Sequence, residues 1–244
     1  MIKELGEGLV SQKFPVNSIA VVLGASGGIG AAVFDLLCRD KTFLKVIPAS
    51  RSTKPKLDLK DEQSIKDLAE EVKSTEGDLR LVFDATGVLH SDHFFPEKNL
   101  KSINTDTLYE NFMVNAIGPV LCLKYLAPLF PKQGKSVFVS LSARVGSISD
   151  NFLGGWYSYR ASKTALNQLI KTASVELARS LPSHVSVLFH PGTVSTELSE
   201  PFAKSGLSLL TPEDSASKLW AAIKTLDSSD SGKFFDNEKR VIPW

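Results

Sequence analysis

The stretch SIAVVLGASGGIG, Ser18 to Gly30, runs a short apolar segment into a glycine-rich turn and then into GIGAAVFDLLCRD, where apolar residues recur at helical spacing. It reads as a buried strand, a tight loop and an amphipathic helix with Ile29, Val33, Leu36 and Leu37 facing the sheet. Gly24, Gly28 and Gly30 allow a tight turn and a close backbone approach to a bound group. The helix N-terminus that follows adds free N–H groups and the positive end of a dipole, which suits a pyrophosphate. A glycine-rich turn that holds nothing is the alternative.

Working outward, strand-length and helix-length segments alternate to the end of the chain. LKVIPAS, LRLVFDATG, KSVFVSLSA and HVSVLFHPG read as strands, and GKFFD as an edge strand. Between them lie an acid-opened amphipathic helix, DEQSIKDLAEEVKS, and the long helices NTDTLYENFMVNAIGPVLCLKYLAPLF and SYRASKTALNQLIKTASVELARS. TPEDSASKLWAAIKTL begins with a Thr cap and Pro at its first helical position. This order specifies an α/β fold with a Rossmann-type doubly wound parallel sheet in three layers and a single domain. An N-terminal arm over 1–17 and a dinucleotide-binding catalytic domain over 18–244 are the expected divisions. The ligand crevice of such a sheet lies beyond the carboxyl ends of its strands, so the loops there are the places to search.

Composition narrows the function. With 244 residues, 43% hydrophobic, 23% charged and a formal net charge of +1, the chain is of the globular class and has no basic arm for nucleic acid. No apolar run approaches the roughly 18 residues of a membrane span. The N-terminus resembles neither a secretory signal nor a transit peptide, so a cytoplasmic protein is expected. Cys38 and Cys122 fall in helical segments and are expected as packed thiols, and the four histidines have no metal spacing, so no metal is expected. Of the histidines only His90 falls near the crevice.

In YSYRASK, Tyr157 to Lys163, a helix would stack Tyr159 and Lys163 on one face. An ammonium about 4 Å from a phenol is worth on the order of 4 kcal/mol at an effective dielectric of 20, enough to lower the phenol's pKa by about three units. Roughly 0.5 Tyr-x-x-x-basic pairs arise by chance in such a composition, so the pair needs its context.

The glycine loop and the Tyr159/Lys163 pair together resemble the short-chain dehydrogenase/reductase family, in family order from about Ile19 to the C-terminus. GSISDN, GGWYSYRASK and the terminal VIPW are similar to its small carbonyl-reductase-like group, which includes C-factor-type and sniffer-type proteins. The resemblance implies an NAD(P)-dependent oxidoreductase acting on CH–OH and C=O groups. Tyr159 would be the general acid/base, Lys163 its modulator and a ligand of the nicotinamide ribose, and Asn115 of MVNAIG the holder of a relay water. Cofactor contacts are implied for Gly24, Ser26, Gly28, Ile29, Gly30, Asp58, Leu59, Gly87, Pro191, Gly192, Val194 and Thr196.

The second strand ends at Ser50 and Arg51, where NAD enzymes of this fold carry a carboxylate and NADP enzymes an arginine, so NADP(H) is expected over NAD(H). Two departures stand out. Asp84-Ala85-Thr86-Gly87 replaces the family's Asn-Asn-Ala-Gly, and VSLSARVGS puts Ala143 where the functional serine is usual. Ser142 is the expected hydroxyl, with Ser147 in reserve; a missing hydroxyl is the other possibility.

Phe94, Phe95, Phe152, Trp156 and Phe202 could shape an apolar pocket, and 195–212 could close over substrate. The substrate class implied is a small carbonyl or alcohol, and the subunit packing implied is a homodimer or homotetramer through the Asn115 and Lys163 helices. The competing reading is a dinucleotide-binding regulatory protein with weak or no turnover. A nucleotide-sugar epimerase is disfavoured, because little chain remains for a separate substrate domain.

Overall fold

The structure is a computed structural model in which residues 13–202 and 209–244 are described. Most of the expected arm and part of the expected closing segment over 195–212 lie outside the described residues. Six parallel strands form one sheet in the order β2-β1-β3-β4-β5-β6. They are β1 (Ser18–Leu23), β2 (Phe43–Ala49), β3 (Asp78–Asp84), β4 (Ser136–Leu141), β5 (His184–His190) and β6 (Phe234–Asp236). β2 is an edge strand, which is why it tolerates Pro48, a residue with no N–H to give to a ladder.

Alternate side chains of β1 enter two cores. Ile19, Val21 and Leu23 join α2 (Glu62–Ser74), α4 (Gly118–Leu126) and α5 (Tyr157–Leu177) on one face. Ala20 and Val22 join α1 (Gly28–Arg39) and α6 (Pro212–Lys224) on the other. Burial on both faces explains why the central strands read as continuous apolar runs rather than alternating ones. Of the α1 residues expected on the sheet, Val33 and Leu37 are buried, and Ile29 and Leu36 pack at the margin.

The long segment from Asn104 differs from a plain helix. α3 (Thr105–Phe112) passes into a π-helical turn over Met113–Ile117 before α4 resumes. Pro119 has no N–H to give to the carbonyl of Asn115, and Gly118 donates instead to Met113, five residues back. The widened turn carries Asn115 and presses Gly118 onto Leu59, whose side chain a Cβ there would meet at 2.6 Å.

Two sequence expectations need correction. Thr105–Leu129 is long and apolar enough, by length and composition, to cross a membrane. Here its Cys122, Leu123 and Leu126 are core residues against the sheet. Cys38 is exposed, not packed, because it falls on the outer side of the last turn of α1.

Candidate active site

The crevice opens at the carboxyl ends of β1, β3, β4 and β5, where the chain leaves β1 for β2 on one side and returns as β3 on the other. Two adjoining cavities occupy it, of about 390 Å³ and 250 Å³, with Gly27, Arg51, Ala85, Thr86, Gly87 and Val88 lining both. A topological switch point of this kind is where open α/β sheets bind their ligands.

The glycine loop is the floor of the crevice. Gly24 has φ +77°, and a Cβ on it would lie 3.1 Å from the Ala85 carbonyl. On Gly30 a Cβ would meet the Gly24 oxygen at 2.1 Å, and on Gly28 the Thr196 methyl at 2.7 Å, so neither position has room for a side chain. Gly27 caps α1 without a side-chain bond, which leaves first-turn N–H groups facing the cavity for an anion. Gly28, Ile29 and Gly30 line the larger cavity; Gly24 and Ser26 line the smaller.

Ser50, Asp58 and Leu59 line the smaller cavity with Arg51. No carboxylate partner for Arg51 occurs among the described residues. These residues and the glycine cradle fit a dinucleotide.

Tyr159, Lys163 and Ser142 all line the larger cavity. Tyr159 is in the first turn of α5, and burial pushes its phenol well above the ordinary tyrosine range. The ammonium of Lys163 donates to the Leu141 carbonyl at 2.9 Å and stands 5.9 Å from the centre of the Tyr159 ring. No hydrogen bond joins this ammonium to the phenol among the described residues, and desolvation sets the direction of the phenol's shift. Burial lowers Lys163 to about 8, against a smaller raising effect of Asp84. Asp84 is itself pushed up by burial, while its carboxylate accepts from Ser140 Oγ at 2.5 Å and from the Thr86 N–H at 3.0 Å.

Asn115 does not line the cavity but braces it. Its Oδ1 accepts from the Val88 N–H at 2.7 Å, and its Nδ2 donates to the Val88 carbonyl at 2.8 Å and to Ser162 Oγ at 3.1 Å. Gly87 is beside it, where a Cβ would lie 3.3 Å from Asn115 Oδ1 and 3.4 Å from Lys163 Nζ. The Ser142 hydroxyl donates to Asn167 Oδ1 at 2.6 Å. Ser147 is buried away from this cavity and accepts from the Asp150 N–H at 3.2 Å.

Pro191 and Thr196 reach the larger cavity; Gly192 and Val194 stand behind them. Gly192 has φ +88°, and Val194 bridges to Leu210.

Of the residues read from the sequence as lying near the crevice or shaping a pocket, His90, Phe95, Trp156 and Phe202 come together in one aromatic cluster. His90 lines the cavity, stacks on Phe95 at 5.8 Å and meets Phe202 edge-on at 5.6 Å. Trp156 meets Phe202 at 5.1 Å and Tyr159 at 6.2 Å, so an aromatic wall runs up to the phenol. Phe152 is not part of it and is 86% exposed. Asn167 and Glu97 act across 25 and 61 residues of chain, distances at which spacing carries no information.

Comparison with known proteins accords with this geometry. The 1-hydroxy-2-glutathionyl-2-methyl-3-butene dehydrogenase of Rhodococcus sp. (strain AD45) is 31% identical over 197 residues, 80% of this chain and 82% of that one. The C-signal of Myxococcus xanthus is 31% identical over 145 residues, 59% of this chain and 83% of that protein. The NADPH-bound carbonyl reductase from chicken fatty liver superposes with a TM-score of 0.82 at 25% identity, covering 96% of each chain. The family model described as short chain dehydrogenase matches residues 18–206, and with that match this chain belongs to the short-chain dehydrogenase/reductase family, the NAD(P)-dependent oxidoreductases.

Proposed function

We propose that the protein is an NADPH-preferring reductase of ketones or aldehydes, working in the other direction on the corresponding alcohols, with Tyr159 as its acid/base. The observation that carries this reading is that Tyr159, Lys163, Ser142, the glycine cradle and Arg51 all line one cavity. When bound, the cofactor supplies or accepts the hydride. The α1 N-terminus would hold its pyrophosphate, Ser50 and Arg51 the adenosine phosphate, Asp58 and Leu59 the adenine, and Pro191 and Thr196 the nicotinamide end. Lys163, released from the Leu141 carbonyl, would bind the ribose beside Gly87.

As charge builds on the substrate oxygen, Tyr159 gives it a proton, and Lys163 at close range offsets the phenolate left behind. Burial keeps the phenol protonated, which is the form a reductase needs, and makes it a weak acid until a cation approaches. Ser142 has one proton, committed to Asn167, so a substrate oxygen must compete for it. The His90–Phe95–Trp156–Phe202 wall favours an apolar or aromatic carbonyl. Assembly as a homodimer or homotetramer through α4 and α5 belongs to the same proposal, and sedimentation velocity would report it directly.

The test is fluorescence titration with NADPH and NADH, then NADPH oxidation against ketones, aldehydes and quinones, for wild type and Tyr159→Phe. Tighter NADPH binding in both proteins, with turnover falling by about 10²- to 10⁴-fold in the variant, is expected. NADPH binding without turnover in wild type would favour the regulatory reading, which Ala143 motivates.

A further inference from the structure

We infer that Glu97 is a positioning residue for the proposed reaction, clamping the first turn of the catalytic helix α5 to the segment that walls the substrate cavity. This rests on the reading given under Proposed function.

Glu97 is 3% exposed, unusual for a carboxylate, and its partners explain the burial. One carboxylate oxygen accepts from the Ser158 N–H at 3.1 Å and the other from the Ser158 hydroxyl. Its own carbonyl accepts from the Trp156 N–H at 2.5 Å. One residue thus makes three bonds that bracket Tyr157 and end one position before Tyr159.

Helix α5 needs this support. Its N-cap is Trp156, left-handed at φ 54° and ψ 42°, and its side chain gives no capping bond. A non-glycine residue held there costs on the order of 1–3 kcal/mol and persists only where its surroundings impose it. The first-turn N–H that a local Ser, Thr or Asp cap would satisfy is taken by a carboxylate from a segment 61 residues earlier, and a negative charge there also suits the helix dipole.

The other end of the clamp is the cavity wall. Two residues before Glu97, Phe95 stacks on His90, which lines the cavity. The Trp156 ring, set by its left-handed backbone, meets Tyr159 edge-on. A loosened clamp would therefore move the phenol and the wall together, while the glycine cradle, built on β1 and α1, stays in place.

The experiment compares kcat, KM and NADPH affinity of wild type, Glu97→Ala, Glu97→Gln and Ser158→Ala, with melting temperatures and amide exchange. Displacing a catalytic group by about 1 Å costs roughly 10²-fold, so kcat of Glu97→Ala is expected to fall by about 10- to 100-fold with NADPH Kd within about twofold. Glu97→Gln keeps an acceptor for the Ser158 N–H and a partner for its hydroxyl, and should recover most of kcat; Ser158→Ala should fall between. A lower melting temperature with unchanged kcat, or a glutamine variant as slow as the alanine one, would overturn the inference.

If wild type turns over no carbonyl, the reductase reading fails, and amide exchange still judges the clamp. Faster exchange in Glu97→Ala at 157–160 and 88–97, with 24–30 unchanged, supports it. Unchanged protection throughout refutes it.

Discussion

Arg51 lines both cavities at the mouth of the crevice, and its guanidinium has no carboxylate to neutralise it among the described residues. A planar fork of donors matches a phosphate better than an ammonium does. A charge-assisted contact is worth about 1.5–3 kcal/mol, so Arg51→Ala should weaken NADPH binding by about 10- to 100-fold and leave NADH nearly unchanged. Parallel titrations with the two cofactors check this; equal losses would show that Arg51 reads no phosphate. The arginine was legible because its position follows from the strand that precedes it. The placing of Lys163 was not, since i,i+4 spacing sets the helix face and leaves open whether an ammonium turns to a phenol or, as here, to the carbonyl of Leu141. Ser142 divides in the same way: its place at the end of β4 was readable, and its bond to Asn167 was not.

Among the elements, the clearest sequence marks were local. Thr211 and Pro212 announced the start of α6, and the Thr211 side chain accepts from the Asp214 N–H at 3.0 Å. Thr211→Ala removes that bond and should lower stability by about 1 kcal/mol, measured as a shift in the urea midpoint at constant slope. A variant as stable as wild type would mean that water caps the helix equally well. The far end of α6 is different: Lys135, immediately before β4, donates to the carbonyls of Ile223 and Lys224 at 3.1 and 2.9 Å. Nothing in the α6 sequence signals this partner, 88 residues away. The π turn is an intermediate case, because GP at 118–119 marks an irregularity and only the fit of Gly118 onto Leu59 decides its form.

For the whole molecule, burial of neutral histidines links folding to pH. His184 lies between Ser136 and Ser186, with ring–hydroxyl distances of 2.9 Å each, and His190 ends β5 with its Nδ1 unpartnered. Burial lowers both from 6.5 to about 4. Between those values the unfolded chain binds protons that the folded one refuses. Their contribution is therefore present above pH 6.5 and lost as pH falls towards 4, by up to roughly 3 kcal/mol each. Asp84, raised by burial, opposes this in the acid part of the range. Urea midpoints should fall steadily from pH 7 to pH 4.5; a flat profile would mean that these rings stay hydrated.

By itself, the sequence determined the strand–helix order, the glycine cradle, the place of Arg51 and the pairing of Tyr159 with Lys163 on one helix. Each is a matter of period, backbone freedom or short spacing, which neighbours along the chain decide. The tertiary structure alone decided that Glu97 caps α5, that Asn167 accepts the Ser142 hydrogen bond and that Asp84 is buried near enough to act on Lys163. Those facts depend on which distant segments the sheet brings together and how much water is left between them, and desolvation, unlike periodicity, is a property of the packed whole.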